Sequence, residues 1–112
     1  MNLSSTTDGN RRVVTVNESR IDAAVALTFK EQMRTETESG PDTVILDLQQ
    51  VQFVDSSGLG AIVAAMKTMG KGRTLALAGL NPTVSKVFQL TRMDSVFQLF
   101  PTLDDALDSL DA

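Results

Sequence analysis

The sequence predicts an α/β domain in which short apolar strands alternate with amphipathic helices. Three observations predict it. "TVILDL" (43–48) and "TLALAG" (74–79) are nearly continuous apolar runs of strand length, as expected of strands covered on both faces. Between and after them, apolar residues recur at helical spacing: Leu59, Ile62, Val63, Met66 and Met69 in one segment, Val84, Val87, Phe88 and Thr91 in the next. Turn and cap signals separate these units, Gly70-Lys71-Gly72 and Asn81-Pro82 among them. Strand, helix and strand in that order imply parallel strands joined by crossover helices.

The elements follow in order. Asp8-Gly9-Asn10 is a hairpin turn, and "RRVVTVN" is a strand through Val16. Asp22 is placed to cap a helix starting at Ala23, with Val25, Ala26, Phe29 and Met33 on one face and Gly40-Pro41 at its end. After "TVILDL" a helix begins near Ser57. Asn81 at the cap and Pro82 at the first helical position open the next helix. "SVFQLF" (95–100) is expected as a short strand. Thr102 to Asp105 resembles a capping box and leads a last helix whose Leu103, Ala106, Leu107 and Leu110 face inward. No internal repeat, linker or low-complexity tract interrupts the chain, so residues 1–112 are expected to form one domain.

Composition narrows the function. Hydrophobic content is 42% and charged content 21%, which suits a globular fold. There is no Cys and no His, which removes thiolate chemistry, disulfides, imidazole metal ligation and a Ser-His-Asp triad. Net charge is −4, with Arg11, Arg12, Lys71 and Arg73 scattered, and aromatics are 4%. Nucleic acid is therefore not an expected partner. No apolar run reaches the length of a membrane span and the N-terminus lacks a signal-peptide pattern, so no membrane partner and a cytoplasmic location are expected.

The segment most suited to function is "QFVDSSGLGAIVAAM" (52–66), where Asp55, Ser56 and Ser57 sit between a strand and a helix. The plain reading is a helix cap, the commonest use of such a turn. Enzymatic readings lack parts. "GLGAIV" has Val63 where a dinucleotide fingerprint needs a small residue, and "GKGR" lacks Walker spacing. A serine nucleophile has no His as base, and Asp47 with Asp55 as a Mg²⁺ site is disfavoured against two structural carboxylates. No catalytic residue, metal ligand or cofactor is assigned.

A contact surface fits better. Ser57, Gly60, Ala61, Ala64 and Thr68 fall opposite the Leu59-Ile62-Val63-Met66 stripe, and none is charged. Gly58 and Gly60 each cost about 1 kcal/mol against Ala in a helix, which asks for a reason other than helix formation. A serine at this helix start is open to modification, and phosphate there adds about −1.5 to −2 charges.

"VILDLQQVQFVDSSGLGAIV" (44–63) closely resembles STAS domains, specifically bacterial anti-sigma factor antagonists. "ALAGLNPTVSKVFQLTRMDSVFQLFPTLDDAL" and, more weakly, "VNESRIDAAVA" extend the resemblance over most of the chain from Val13. It implies a small mixed sheet of about five strands flanked by about four helices, and a partner switch. The unphosphorylated antagonist would bind a serine kinase of histidine-kinase-like ATPase fold, which is the anti-sigma factor, and release its sigma factor. Phosphorylation of Ser56 (alternatively Ser57) would block binding, and a PP2C-type phosphatase would restore it. The partner-binding residues implied by the motif and the bare helix face together are Asp22, Asp55, Ser56, Ser57, Gly58, Gly60, Ala61 and Ala64. Ser19 stands where relatives often have Gly. The free protein is expected to be a monomer. The alternative is a STAS subunit held constitutively in a larger assembly, such as an ABC lipid-transport complex or a stressosome-like scaffold, without a phosphate cycle.

Overall fold

The computed structural model describes residues 1–110. Its first two strands, Leu3–Asp8 (β1) and Arg11–Val16 (β2), form an antiparallel hairpin with Asp8 opposite Arg11. Of the two loop residues only Gly9 has positive φ (62°), the pattern of a type II′ turn, which suits the twist of paired strands. The remaining elements are Arg20–Ile21 (β3), Ala26–Thr37 (α1), Thr43–Asp47 (β4), Phe53–Val54 (β5), Ser56–Met69 (α2), Thr74–Ala78 (β6), Pro82–Leu90 (α3), a 3₁₀ turn at Met93–Ser95, Leu99–Phe100 (β7) and Leu103–Ser109 (α4).

The main sheet has the order β1-β2-β4-β6-β7. β2, β4, β6 and β7 run parallel and β1 is antiparallel, so the sheet is mixed, with five strands and four helices as expected. A separate parallel pair joins β3 to β5, Arg20 opposite Phe53 and Ile21 opposite Val54. Alternation along the central strands divides the interior. Val14, Val16, Val44, Leu46, Leu75 and Leu77 form one cluster with Phe29, Met33, Ile62, Ala65, Val84 and Phe88 from α1, α2 and α3. The opposite side, Ile45 and Ala78 with Val13 and Phe100, packs with Ala106, Leu103 and Leu107 of α4. Phe88 meets Phe97 edge-on, with centroids 6.0 Å apart and rings at 83°.

The scattered arginines close helix ends. Arg12 Nη1 donates to the Glu36 carbonyl at 2.6 Å, and Arg73 donates to the carbonyls of Thr37 and Pro41. Arg11 Nη1 donates to the Leu107 carbonyl at 2.6 Å. The carbonyls of Glu36, Thr37 and Leu107 lie where a helix runs out of intrahelical donors, and the dipole there favours a cation; Pro41 lies beyond α1, in the loop before β4.

Three expectations for single elements need correction. The helix expected from Ala23 starts at Ala26, because residues 23–25 first form a turn closed by the Val25 N–H on the Asp22 carbonyl at 3.0 Å. The strand expected over 95–100 is reduced to Leu99–Phe100, since Met93–Ser95 continues as a 3₁₀ turn after Arg92 takes a left-handed conformation (φ 61°). That reversal also puts Thr91 at the end of α3, exposed and not inward.

Candidate functional site

The site is built around the carboxylate of Asp55. Its extended backbone (φ −94°, ψ −176°) puts it at the cap of α2, where Oδ1 accepts the Gly58 N–H at 2.8 Å. Oδ2 accepts the Ala23 N–H at 3.0 Å, from a turn 32 positions earlier. The next amide of that turn, Ala24, donates to Asp22 Oδ1 at 3.1 Å. Asp22 and Asp55 thus hold consecutive amides of one turn and are brought together. Both bonds to Asp55 favour its charged form. The Gly58 N–H is the main cause of a pKa below the ordinary aspartate value; desolvation opposes it, and the Ala23 and Ser57 N–H groups add to the lowering.

Asp22 does not cap α1 as the sequence suggests. Val25 occupies that cap with no side-chain hydrogen bond, while the Asp22 carboxylate is spent on Ala24 and on Arg20 at 3.5 Å. Ser19 has no positive φ, so the backbone at this position does not require glycine; its carbonyl accepts the Gln52 N–H at 2.7 Å.

Ser56 and Ser57 are the first two residues of α2 and both are exposed. Among the described residues neither hydroxyl has a hydrogen-bond partner. Gly58 and Ala61, expected on a contact face, are instead buried. The inward stripe is Gly58, Ala61, Ile62, Ala65 and Met69, while Leu59, Val63 and Met66 are only half-buried. The phase of the helix is set at Gly58, where a Cβ would stand 1.9 Å from the Ile21 carbonyl oxygen. The helix start lies against the β3 backbone there, and the face continues at the i+3, i+4 and i+7 positions. Gly60 is different: it is exposed, and a Cβ on it would meet nothing within 4 Å. The open strip therefore consists of Ser56, Ser57, Gly60, Lys67, Thr68 and half-buried Ala64, with Leu59, Val63 and Met66 along it.

One pair at the site escaped sequence reasoning. Phe53 is 43% exposed, and the Arg20 guanidinium lies 5.5 Å from its ring centroid. The available signal was a bulky aromatic two residues before Asp55 whose neighbour Val54 takes the buried side of a two-residue strand. Asp47, the other carboxylate considered, is buried at the end of β4 with Oδ1 accepting the Gln49 N–H at 3.0 Å. Among the described residues no helix is long and apolar enough to cross a membrane.

Comparison with known proteins shows what the chain as a whole is similar to. The family model described as STAS domain matches residues 3–106. An anti-sigma F factor antagonist from Paenibacillus polymyxa is 34% identical over 68 residues, 60% of this chain and 56% of that protein, so the match spans little more than half of that relative. An anti-sigma-F factor antagonist from Mycobacterium tuberculosis is 28% identical over 87 residues, covering 78% of this chain and 71% of that protein. Among solved structures, an anti-sigma factor antagonist from Mycobacterium paratuberculosis superposes with a TM-score of 0.88 at 27% identity, over 99% of this chain and 94% of its own.

Proposed function

The chain belongs to the STAS domain family, and on that premise we propose that it is an anti-sigma factor antagonist working by a phosphorylation-controlled partner switch, with residues 1–112 as one domain. It is a docking module and the substrate of an enzyme, not an enzyme itself. Unphosphorylated, it binds an anti-sigma factor that is a serine kinase of histidine-kinase-like ATPase fold, and the sigma factor is released. The kinase phosphorylates Ser56, and a PP2C-type phosphatase reverses it. The docking residues are Asp22, Asp55, Ser56, Ser57, Gly60 and Ala64; Gly58 and Ala61 support them from inside.

The observation that carries this reading is the Ser56 hydroxyl: exposed, unpartnered among the described residues, and fixed on the first residue of α2 beside a carboxylate with both oxygens engaged. A hydroxyl so placed is reachable by another protein's active site. A phosphate on it puts about two negative charges next to Asp55, on a strip whose lysine, Lys67, lies about three helical turns away. Carrying such a charge into an interface costs up to a few kcal/mol in desolvation, and each 1.4 kcal/mol is about tenfold in affinity. The named relatives favour this reading because they are anti-sigma factor antagonists themselves.

The test is binding to the cognate kinase. Ser56→Ala is expected to bind without release in the presence of ATP, and Ser56→Asp to bind at least about tenfold more weakly. Phosphopeptide mapping after incubation with kinase and ATP assigns the phosphate to Ser56 over Ser57. Equal affinity of phosphorylated and bare chains would sink the switch.

A further inference from the structure

Arg20 lies opposite Phe53 across the β3–β5 pair, with its guanidinium 5.5 Å from the ring centroid. The same side chain reaches forward along β3, so that Nη1 is 3.5 Å from Asp22 Oδ2. The two contacts put the guanidinium between the Phe53 ring on β5 and the Asp22 carboxylate, the first residue after β3. This is the corner where the chain leaves β5, passes through Asp55 and enters α2 at Ser56. The Arg20 side chain is 63% exposed, and an exposed ion pair of this length holds its arginine loosely.

Resting on the reading that Ser56 takes a phosphate, we propose that Arg20 is the chain's own receiver for it, leaving Asp22 and the Phe53 ring to pair with the new group. A phosphate carries about −1.5 to −2 charges against the single charge of Asp22, and its oxygens match the guanidinium fork. Asp55 sits closest in sequence and repels the phosphate, with Asp22 adding to that repulsion; Arg20 is the cation at this corner that opposes them. Its departure uncovers Phe53. Phosphorylation thus alters the docking surface twice, by the charge at Ser56 and by an exposed aromatic stripped of its cation.

The experiment installs phosphoserine at position 56 during translation, so that no kinase is needed, and titrates the phosphate by phosphorus NMR. With Arg20 present the second ionisation is expected about 0.5 pH unit lower than in the Arg20→Gln chain. The Phe53 ring protons are expected to move on phosphorylation toward their positions in Arg20→Gln. Identical titrations in the two chains overturn the proposal, and so do ring signals indifferent to phosphorylation. Kinase binding that ignores phosphorylation would sink the proposed function while leaving this result standing, and equal titrations would do the reverse.

Discussion

The carboxylate of Asp55 accepts the backbone N–H of Ala23 at 3.0 Å while its other oxygen caps α2 at Gly58. One side chain therefore fixes two things: the start of the helix that carries the serines, and the turn that carries Asp22. The first is local and the second spans 32 positions. A side chain with both jobs couples the two parts of the candidate docking surface, because neither can shift without breaking a charge-assisted bond.

Asp55→Asn tests the charge in that coupling. The folded pKa of Asp55 is lowered, so its contribution is present above the ordinary aspartate value of about 4 and is lost as pH falls through the lower folded value. The wild-type chain is expected to be more stable than Asp55→Asn in urea at neutral pH. The gap should hold steady down to about pH 4 and close below it. A gap that persists unchanged through the acid range would show that the amide's lost acceptor geometry, and not the charge, is responsible.

Gly58→Ala is the sharpest packing test. The added Cβ would stand 1.9 Å from the Ile21 carbonyl oxygen, a backbone atom of β3 that cannot turn aside as a side chain can. Either α2 shifts outward or β3 gives way. The expected destabilisation is about 3 kcal/mol, at the upper end of overpacking costs, read from the denaturation midpoint. A change below about 0.5 kcal/mol would mean that the helix start is not held against β3 in solution.

Much of the fold was legible in the sequence, because the central strands and α3 each obey one local rule. "TVILDL" and "TLALAG" are apolar on both faces, and both are covered on both faces. Asn81-Pro82 caps and opens α3, with Asn81 Oδ1 accepting the Val84 N–H at 2.8 Å. What misled was α2. Leu59, Val63 and Met66 are larger than Gly58, Ala61 and Ala65, so hydropathy alone turns the helix the wrong way. Gly58 faces inward because the β3 backbone is close, the rest of the stripe follows its phase, and nothing within the helix's own sequence states that distance. Asp22 misled for a similar reason: a cap signal is local, whereas the amide of Ala23 is claimed by Asp55 from far along the chain.

Arg73 lies in a stretch that looked like stray surface charge, and it binds the Thr37 carbonyl at the end of α1 and the Pro41 carbonyl in the loop that follows, while its contact with Asp42 is long at 3.9 Å. Arg73→Met keeps much of the apolar stem and removes the donors. The loss is expected to be about 1.5–3 kcal/mol, the range for hydrogen bonds made by a charged group. Raising the salt concentration should change the wild-type value little if the carbonyl bonds dominate. A strong salt dependence would assign the effect to the Asp42 pair instead.

Gly60→Ala separates the fold from docking. Gly58 has a reason inside the chain to lack a side chain; Gly60 has none, since its Cβ would point into open space. In an exposed helical position alanine is favoured over glycine by about 1 kcal/mol, so the variant is expected to be more stable than the wild type by roughly 0.5–1 kcal/mol. If the strip through Ser56, Ser57, Gly60 and Ala64 docks closely on the kinase, the same methyl obstructs the approach, and kinase affinity should fall by about tenfold or more. Opposite signs for stability and binding mark Gly60 as retained for its partner. A variant that is stabilised and binds as tightly as the wild type would remove Gly60 from the contact surface and move the interface toward the Arg20–Phe53 side of the site.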